Sequence, residues 1–131
     1  MIRRAGELAS GLSNVEFVVA DSEALPFPDA TFTAVLCTAS FHHYPDPQRA
    51  LAEMRRVLDR GGRLVIADGM ADLLSARIAD RILRRVDRGH VRLYRTGELA
   101  ALLRGAGFSE TDVVGRLYGG GYAIIRGRVA P

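Results

Sequence analysis

Three short apolar runs punctuate the first half of the chain: VEFVVA at residues 15–20, TAVLCT at 33–38 and RLVIAD at 63–68. They do not alternate polar with apolar, they are rich in β-branched side chains, and each is followed by polar or turn-forming residues. That pattern predicts buried strands of a parallel sheet. Helical spacing lies between and around them. Residues 2–10 place Leu8 and Ala9 on one side and Arg3, Arg4 and Glu7 on the other, and Gly11 stops the run. Asp46-Pro47 supplies an N-cap and a first-turn proline for a helix carrying Leu51, Met54, Val57 and Leu58, which Gly61-Gly62 closes. A longer helix is predicted over residues 71–88. Another is capped by Thr96 and left through Ala106-Gly107-Phe108. Residues 111–117 and 122–129 form two closing strands, with Tyr118-Gly119-Gly120-Gly121 as their hairpin turn. The whole predicts one α/β domain over residues 1–131, with a mainly parallel sheet and an antiparallel edge.

The stripe Leu74, Ile78, Ile82 and Val86 on the 71–88 helix is expected to pack on the domain or cover its pocket. Arg77, Arg81, Arg84 and Arg88 run along its flank. They form either a solvated face whose stems extend the apolar cover or a docking surface for an acidic ligand. Nucleic acid is the lesser of those ligands, because no recognition motif is present.

Composition narrows the classes. The 131 residues are 48% hydrophobic and 25% charged, which excludes a disordered chain. No apolar run approaches the roughly 20 residues of a membrane span, and residues 1–10 lack the apolar segment of a secretory signal. A cytoplasmic protein without a membrane partner is the expectation. One cysteine, Cys37, rules out an internal disulfide, and its place inside a strand argues against a nucleophile. The net charge of +3 is carried by 18 arginines and is concentrated in the second half of the chain.

Ligands of open α/β sheets bind beyond the carboxyl ends of the strands, which selects three spots. Asp21-Ser22 follows the first run; Asp21 either accepts from an amine or hydroxyl, such as an adenine amino group, or caps its own turn. Thr38-Ala39-Ser40-Phe41-His42-His43-Tyr44 gathers hydroxyls, imidazoles and rings. Either histidine could serve as a general base, or one packs beneath the loop while the other faces water. The pair lacks the spacing of metal ligands, so no metal is expected. Asp68-Gly69 follows the third run. Asp68 could face a substrate, and capping of the next helix is favoured. His90 reads as an ordinary surface histidine. No G-x-G-x-x-G, G-x-x-x-x-G-K or G-x-S-x-G occurs after a strand.

Taken together, Asp21, Leu25-Pro26-Phe27, Asp29, Phe32, His42-His43, Asp46-Pro47, Arg56-Val57-Leu58 and Gly61-Gly62-Arg63-Leu64 resemble the central block of class I S-adenosylmethionine-dependent methyltransferases. The likeness is to the type-11 group, related to the ubiquinone and menaquinone biosynthesis enzymes. Residues 96–108 resemble a later block of the same family. The resemblance implies a Rossmann-like three-layer sandwich with sheet order three-two-one-four-five-seven-six. It implies S-adenosylmethionine as cofactor, a small-molecule methyl acceptor, and cofactor contacts from Asp21, Ser22, Thr38, Ala39, Ser40 and Phe41. His42 or His43 would be the base or substrate contact. The family's glycine-loop strand–helix–strand unit has no counterpart here, so the sandwich is expected to be truncated at its N-terminus. Strand 15–20 then pairs with 33–38, a homodimer or strand-swapped assembly fills the gap, or a longer protein does. A second function is kept beside the enzyme: a non-catalytic module that retains the fold and binds a partner.

Overall fold

The computed structural model describes residues 2–9 and 11–131. Four strands form one sheet in the order β1-β2-β4-β3: β1 (Phe32–Thr38), β2 (Leu58–Gly69), β3 (Ser109–Leu117) and β4 (Tyr122–Arg128). β1 runs parallel to β2, with Val35 opposite Leu64 and Thr38 opposite Ala67. β4 is antiparallel to both β2 and β3. The α/β class, the parallel start and the closing antiparallel hairpin are as the sequence predicts. The helices are α1 (Ile2–Leu8), α2 (Pro47–Val57), α3 (Leu74–Val86) and α4 (Thr96–Gly105). The last position of the first predicted helix, residue 10, lies outside the described residues.

Strand alternation puts Cys37, Leu64, Ile66, Ala123 and Ile125 on one face of the sheet, and all five are buried. α2 and α4 cover that face. Asp46 starts α2 by accepting from the backbone N–H of Arg49 at 3.0 Å, Pro47 takes the first position, and Ala50, Leu51, Met54 and Val57 turn inward. α4 contributes Leu99 and Leu103, and its exit places Phe108 in the same core. Gly107 has φ +87°, the left-handed conformation of a helix stop. The packing is closest at Gly127. A β-carbon there would sit 3.0 Å from Leu103 Cδ2 and 3.1 Å from Phe108 Cβ, so any side chain would require both neighbours to give by a few tenths of an ångström.

Residues 15–20 do not form the predicted strand. They carry no regular secondary structure, pair with no strand among the described residues, and are all exposed. A strand needs a hydrogen-bonded neighbour as well as an apolar pattern. Here the following loop is bound to α2 instead of folding back along β1. The Arg56 guanidinium donates to the carbonyls of Leu25 (3.0 Å) and Phe27 (2.8 Å) and to Asp29 and Glu53. Glu53 in turn accepts from the Leu25 N–H. Hydrogen bonds from Arg56 pull the Glu53 carboxyl down to about 2. β1 is accordingly an edge strand, with only Cys37 buried and Leu36 69% exposed, where a fully buried strand was expected. At its other edge β2 begins earlier than predicted: α2 ends at Val57, and residues 58–62 enter the strand through an irregularity in the register.

α3 is shorter than predicted and faces the opposite way. Leu74, Ile78, Ile82 and Val86 point outward, with Ile78 and Ile82 each more than half exposed, so the stripe does not pack on the domain. The buried residue of the helix is Asp80. It lies two positions from both isoleucines, about 160° around the helix from each. Polar bonds to Asp80 outcompete the apolar stripe for the inward face. Thr96 is likewise not the cap of α4; it is its first residue, buried, with N–H and hydroxyl both given to Asp72.

Candidate functional site

The carboxyl ends of β1 and β2 lie side by side, since Thr38 is opposite Ala67. Beyond Thr38 the chain turns sharply. Ala39 has φ +47°, a left-handed conformation unusual for a residue with a β-carbon. Its N–H still donates to the Ala67 carbonyl at 2.8 Å. The same carbonyl accepts from the Tyr122 hydroxyl at 2.7 Å. A short 3₁₀ turn, Phe41–His43, follows.

Phe41 is sunk in the core, edge-on to Tyr44 at 5.4 Å and tilted to Tyr94 at 5.6 Å. Its ring is therefore an anchor for the loop, and the residue as a whole is 1% exposed. Ser40 Oγ lies 3.2 Å from Cys37 Sγ and 3.4 Å from the Tyr44 hydroxyl. Burial raises the Cys37 thiol and pushes the Tyr44 phenol up to about 12, so both stay neutral.

With Phe41 anchored, His42 is turned toward β2. Its Nδ1–H donates to Asp68 Oδ1 at 2.7 Å, and its backbone N–H reaches Asp68 Oδ2 at 3.1 Å. Asp68 is buried and also accepts from the Gly69 N–H. It does not cap α3, as the sequence favoured. Two residues of β2 beyond Ile66 bring its carboxylate to the end of the core-facing row, opposite the 41–43 turn. With Nδ1 protonated against Asp68, a neutral His42 carries its lone pair on Nε2. His43 is exposed; its Nδ1–H donates to the Gly89 carbonyl at 2.5 Å, and its ring lies 3.9 Å from that of His42.

His90 is a second correction. It is buried, 5.4 Å from the His42 ring, and its Nε2–H donates to Asp80 Oδ1 at 2.8 Å. Burial pushes the Asp80 carboxyl up, but bonds from Leu93 N–H, His90 and Arg84 outweigh it and hold it below its ordinary value. The sequence held one signal for this pair: an acid, Asp80, on the helix side opposite Ile78 and Ile82.

Among the described residues Asp21 and Ser22 share no hydrogen bond with the histidines. Asp21 Oδ1 accepts from the Glu23 N–H at 2.9 Å, the turn-capping geometry, and the Asp21 residue is exposed. The loop is positioned by Glu23, which accepts from the Asp46 N–H and, through its carbonyl, from Arg49. Among the described residues Asp21 Oδ2 accepts no hydrogen bond. Thr38 and Ala39 are exposed at the strand end, and no Asp, Glu, Lys or Arg occurs from Ala30 to Pro45. A cationic sulfonium there would meet hydroxyl, carbonyl and imidazole groups of the 38–43 loop. The donor set suits the adenosine and sulfonium ends of S-adenosylmethionine. Among the described residues no cluster of histidine, cysteine and carboxylates is arranged to hold a metal ion, and no helix is long and apolar enough to cross a membrane. A separate groove of about 830 Å³ between α2 and α4 is lined by Gln48, Ala52, Tyr94, Leu102 and Gly105, with none of residues 21, 22 or 38–43.

The comparisons agree with this architecture. The methyltransferase domain family matches residues 1–66. An uncharacterized methyltransferase, YcgJ, of Bacillus subtilis is 31% identical over 105 residues, covering 79% of this chain and 42% of the relative. The demethylmenaquinone methyltransferase of Thermus thermophilus is 48% identical over 66 residues, covering 50% of this chain and 29% of the relative. Among solved structures, a SAM-dependent methyltransferase of Thermotoga maritima, described as a possible histamine N-methyltransferase, superposes with a TM-score of 0.80. It is 29% identical over 95% of this chain and 69% of that one. The chain spans about half the length of the curated relatives it matches. By the family match over half its length, and by a fold that follows the same sheet, the chain belongs to the class I S-adenosylmethionine-dependent methyltransferases, in the type-11 group.

Proposed function

We propose that the protein carries out methyl transfer from S-adenosylmethionine to a small-molecule acceptor, in the cytoplasm, with His42 as the general base. The observation that carries this reading is the His42–Asp68 pair at the carboxyl ends of β1 and β2, with Nδ1 bound to the carboxylate at 2.7 Å. Asp21 would hold the adenine amine with Ser22 beside the ring, and residues 38–41 would line the sulfonium side. When bound, the cofactor supplies an electrophilic methyl group for an in-line displacement. His42 Nε2 then takes the proton of the acceptor's hydroxyl, amine or acidic C–H. Asp68 fixes the tautomer and steadies the imidazolium that results. His43, tied through Nδ1 to Gly89, is left to contact the acceptor. Most of the rate would come from holding donor and acceptor in line.

The open edge of β1 supports an assembled form. Among the described residues that edge is unpaired, and β1 carries none of the charged side chains that usually guard against pairing; a second copy joined there would continue the sheet.

Isothermal titration with S-adenosylmethionine tests the reading. Saturable binding is expected, weakened about tenfold by Asp21→Ala, equivalent to roughly 1.4 kcal/mol. No heat of binding at high protein concentration would leave the non-catalytic module as the function of this chain.

A further inference from the structure

α3 is not held in place by its apolar residues, because Leu74, Ile78, Ile82 and Val86 face away from the domain. Its buried attachment is Asp80, and the bonds that Asp80 accepts lead toward the methyl-transfer site. Oδ1 takes the Leu93 N–H at 2.7 Å and His90 Nε2–H at 2.8 Å, while Oδ2 pairs with Arg84 at 2.6 Å. Both ends of residues 90–93 are thus fixed to one buried carboxylate. The residues so fixed lie against the histidine loop. The N–H groups of Val91 and Arg92 both donate to the His42 carbonyl at 3.0 Å, and the Gly89 carbonyl takes the His43 Nδ1–H. His42 is consequently clamped on both sides of its α-carbon. Asp68 holds its N–H and its imidazole, and the 91–92 backbone holds its carbonyl.

We propose that Asp80 and His90 are positioning residues of the methyl-transfer site. They hold residues 89–93 as a strap that fixes the backbone of His42, so that Nε2 points at the acceptor. Neither residue touches the reacting atoms; both act through the strap. A misplacement of the base by about 1 Å is enough to cost about a hundredfold in rate, so a clamp on the His42 peptide has a kinetic consequence. The positioning role rests on His42 being the base, whereas the strap itself stands on the hydrogen bonds alone.

The test uses two substitutions at one position. His90→Ala removes the donor to Asp80, and His90→Gln keeps an N–H donor within reach of it. Amide hydrogen exchange is followed by NMR beside steady-state methyl transfer. In His90→Ala, the Val91, Arg92 and His42 amides should exchange at least about tenfold faster, with Ile66 and Ile125 at native protection. Turnover should fall about tenfold while KM for the cofactor stays within about twofold. His90→Gln should recover most of both, and Asp80→Ala should repeat the His90→Ala pattern. Unchanged Val91 and Arg92 exchange in His90→Ala overturns the strap, as does faster exchange spread evenly into the core. A loosened strap with native turnover overturns the positioning role. Native turnover in Asp68→Asn, with a strap that still responds to His90→Ala, sinks the His42 base alone. If the protein transfers no methyl group at all, the proposed function fails, and the exchange results alone decide the strap.

Discussion

Asp68→Asn is expected to lower methyl transfer about 10²- to 10⁴-fold, the range of a lost general base, with cofactor affinity within about twofold of the parent. The asparagine keeps the size, and with its amide oxygen in the place of Oδ2 the His42 N–H retains its partner, while the Gly69 N–H, which shares Oδ1 with the His42 imidazole, loses its acceptor. What changes at His42 is the tautomer. An amide N–H₂ facing His42 Nδ1 requires a lone pair there and moves the proton to Nε2, the atom that has to accept one. Asp68→Ala is the poorer probe, because it also leaves a buried void beside β2. Steady-state kinetics and cofactor titration on the same preparation check the prediction. A drop in affinity equal to the drop in turnover would mean that Asp68 serves binding and not base orientation.

Ile66→Ala is expected to cost about 2–5 kcal/mol. Ile66 is fully buried on the central strand, opposite both Cys37 of β1 and Ile125 of β4. The surrounding side chains come from strands on both sides and cannot collapse into the gap together. Against a total stability of about 5–15 kcal/mol for such a domain, this is a large share. Leu36→Ala, on the opposite face and 69% exposed, should cost under about 0.5 kcal/mol. Urea denaturation of the two variants checks the pair. The midpoint should fall for Ile66→Ala with the slope unchanged. Equal costs would contradict the assignment of one covered and one open face.

The elements legible in the sequence are those fixed by local chemistry. Asp46-Pro47 started α2, Gly107 stopped α4, and the glycine-rich turn joined β3 to β4. β2 could be read from its apolar run because both of its neighbours are within the chain. Residues 15–20 carry an equally apolar run and form no strand, because pairing is a property of two segments and cannot be read from one. The direction of α3 was illegible for a related reason. Its periodicity located a stripe correctly, but Asp80 had bonding partners in residues 90–93, ten or more positions along, and those bonds decided which side turned inward. His90 looked like a surface residue while its partner was unknown. Asp68 looked like a helix cap because its near neighbours in sequence form a helix, whereas its partner is His42 on the adjacent strand end. The candidate site was chosen by one general rule, the carboxyl ends of the strands. Its internal wiring depended on contacts between distant segments.

Amide shift mapping of the ¹⁵N-labelled protein during titration with S-adenosylmethionine tests the location of the methyl-transfer site most directly. Perturbations are expected at Asp21, Ser22, Thr38, Ala39, Ser40 and Phe41, extending to His42. Perturbations confined to the groove between α2 and α4, at Tyr94, Leu102 and Gly105, or none at millimolar cofactor, would contradict a site at the ends of β1 and β2.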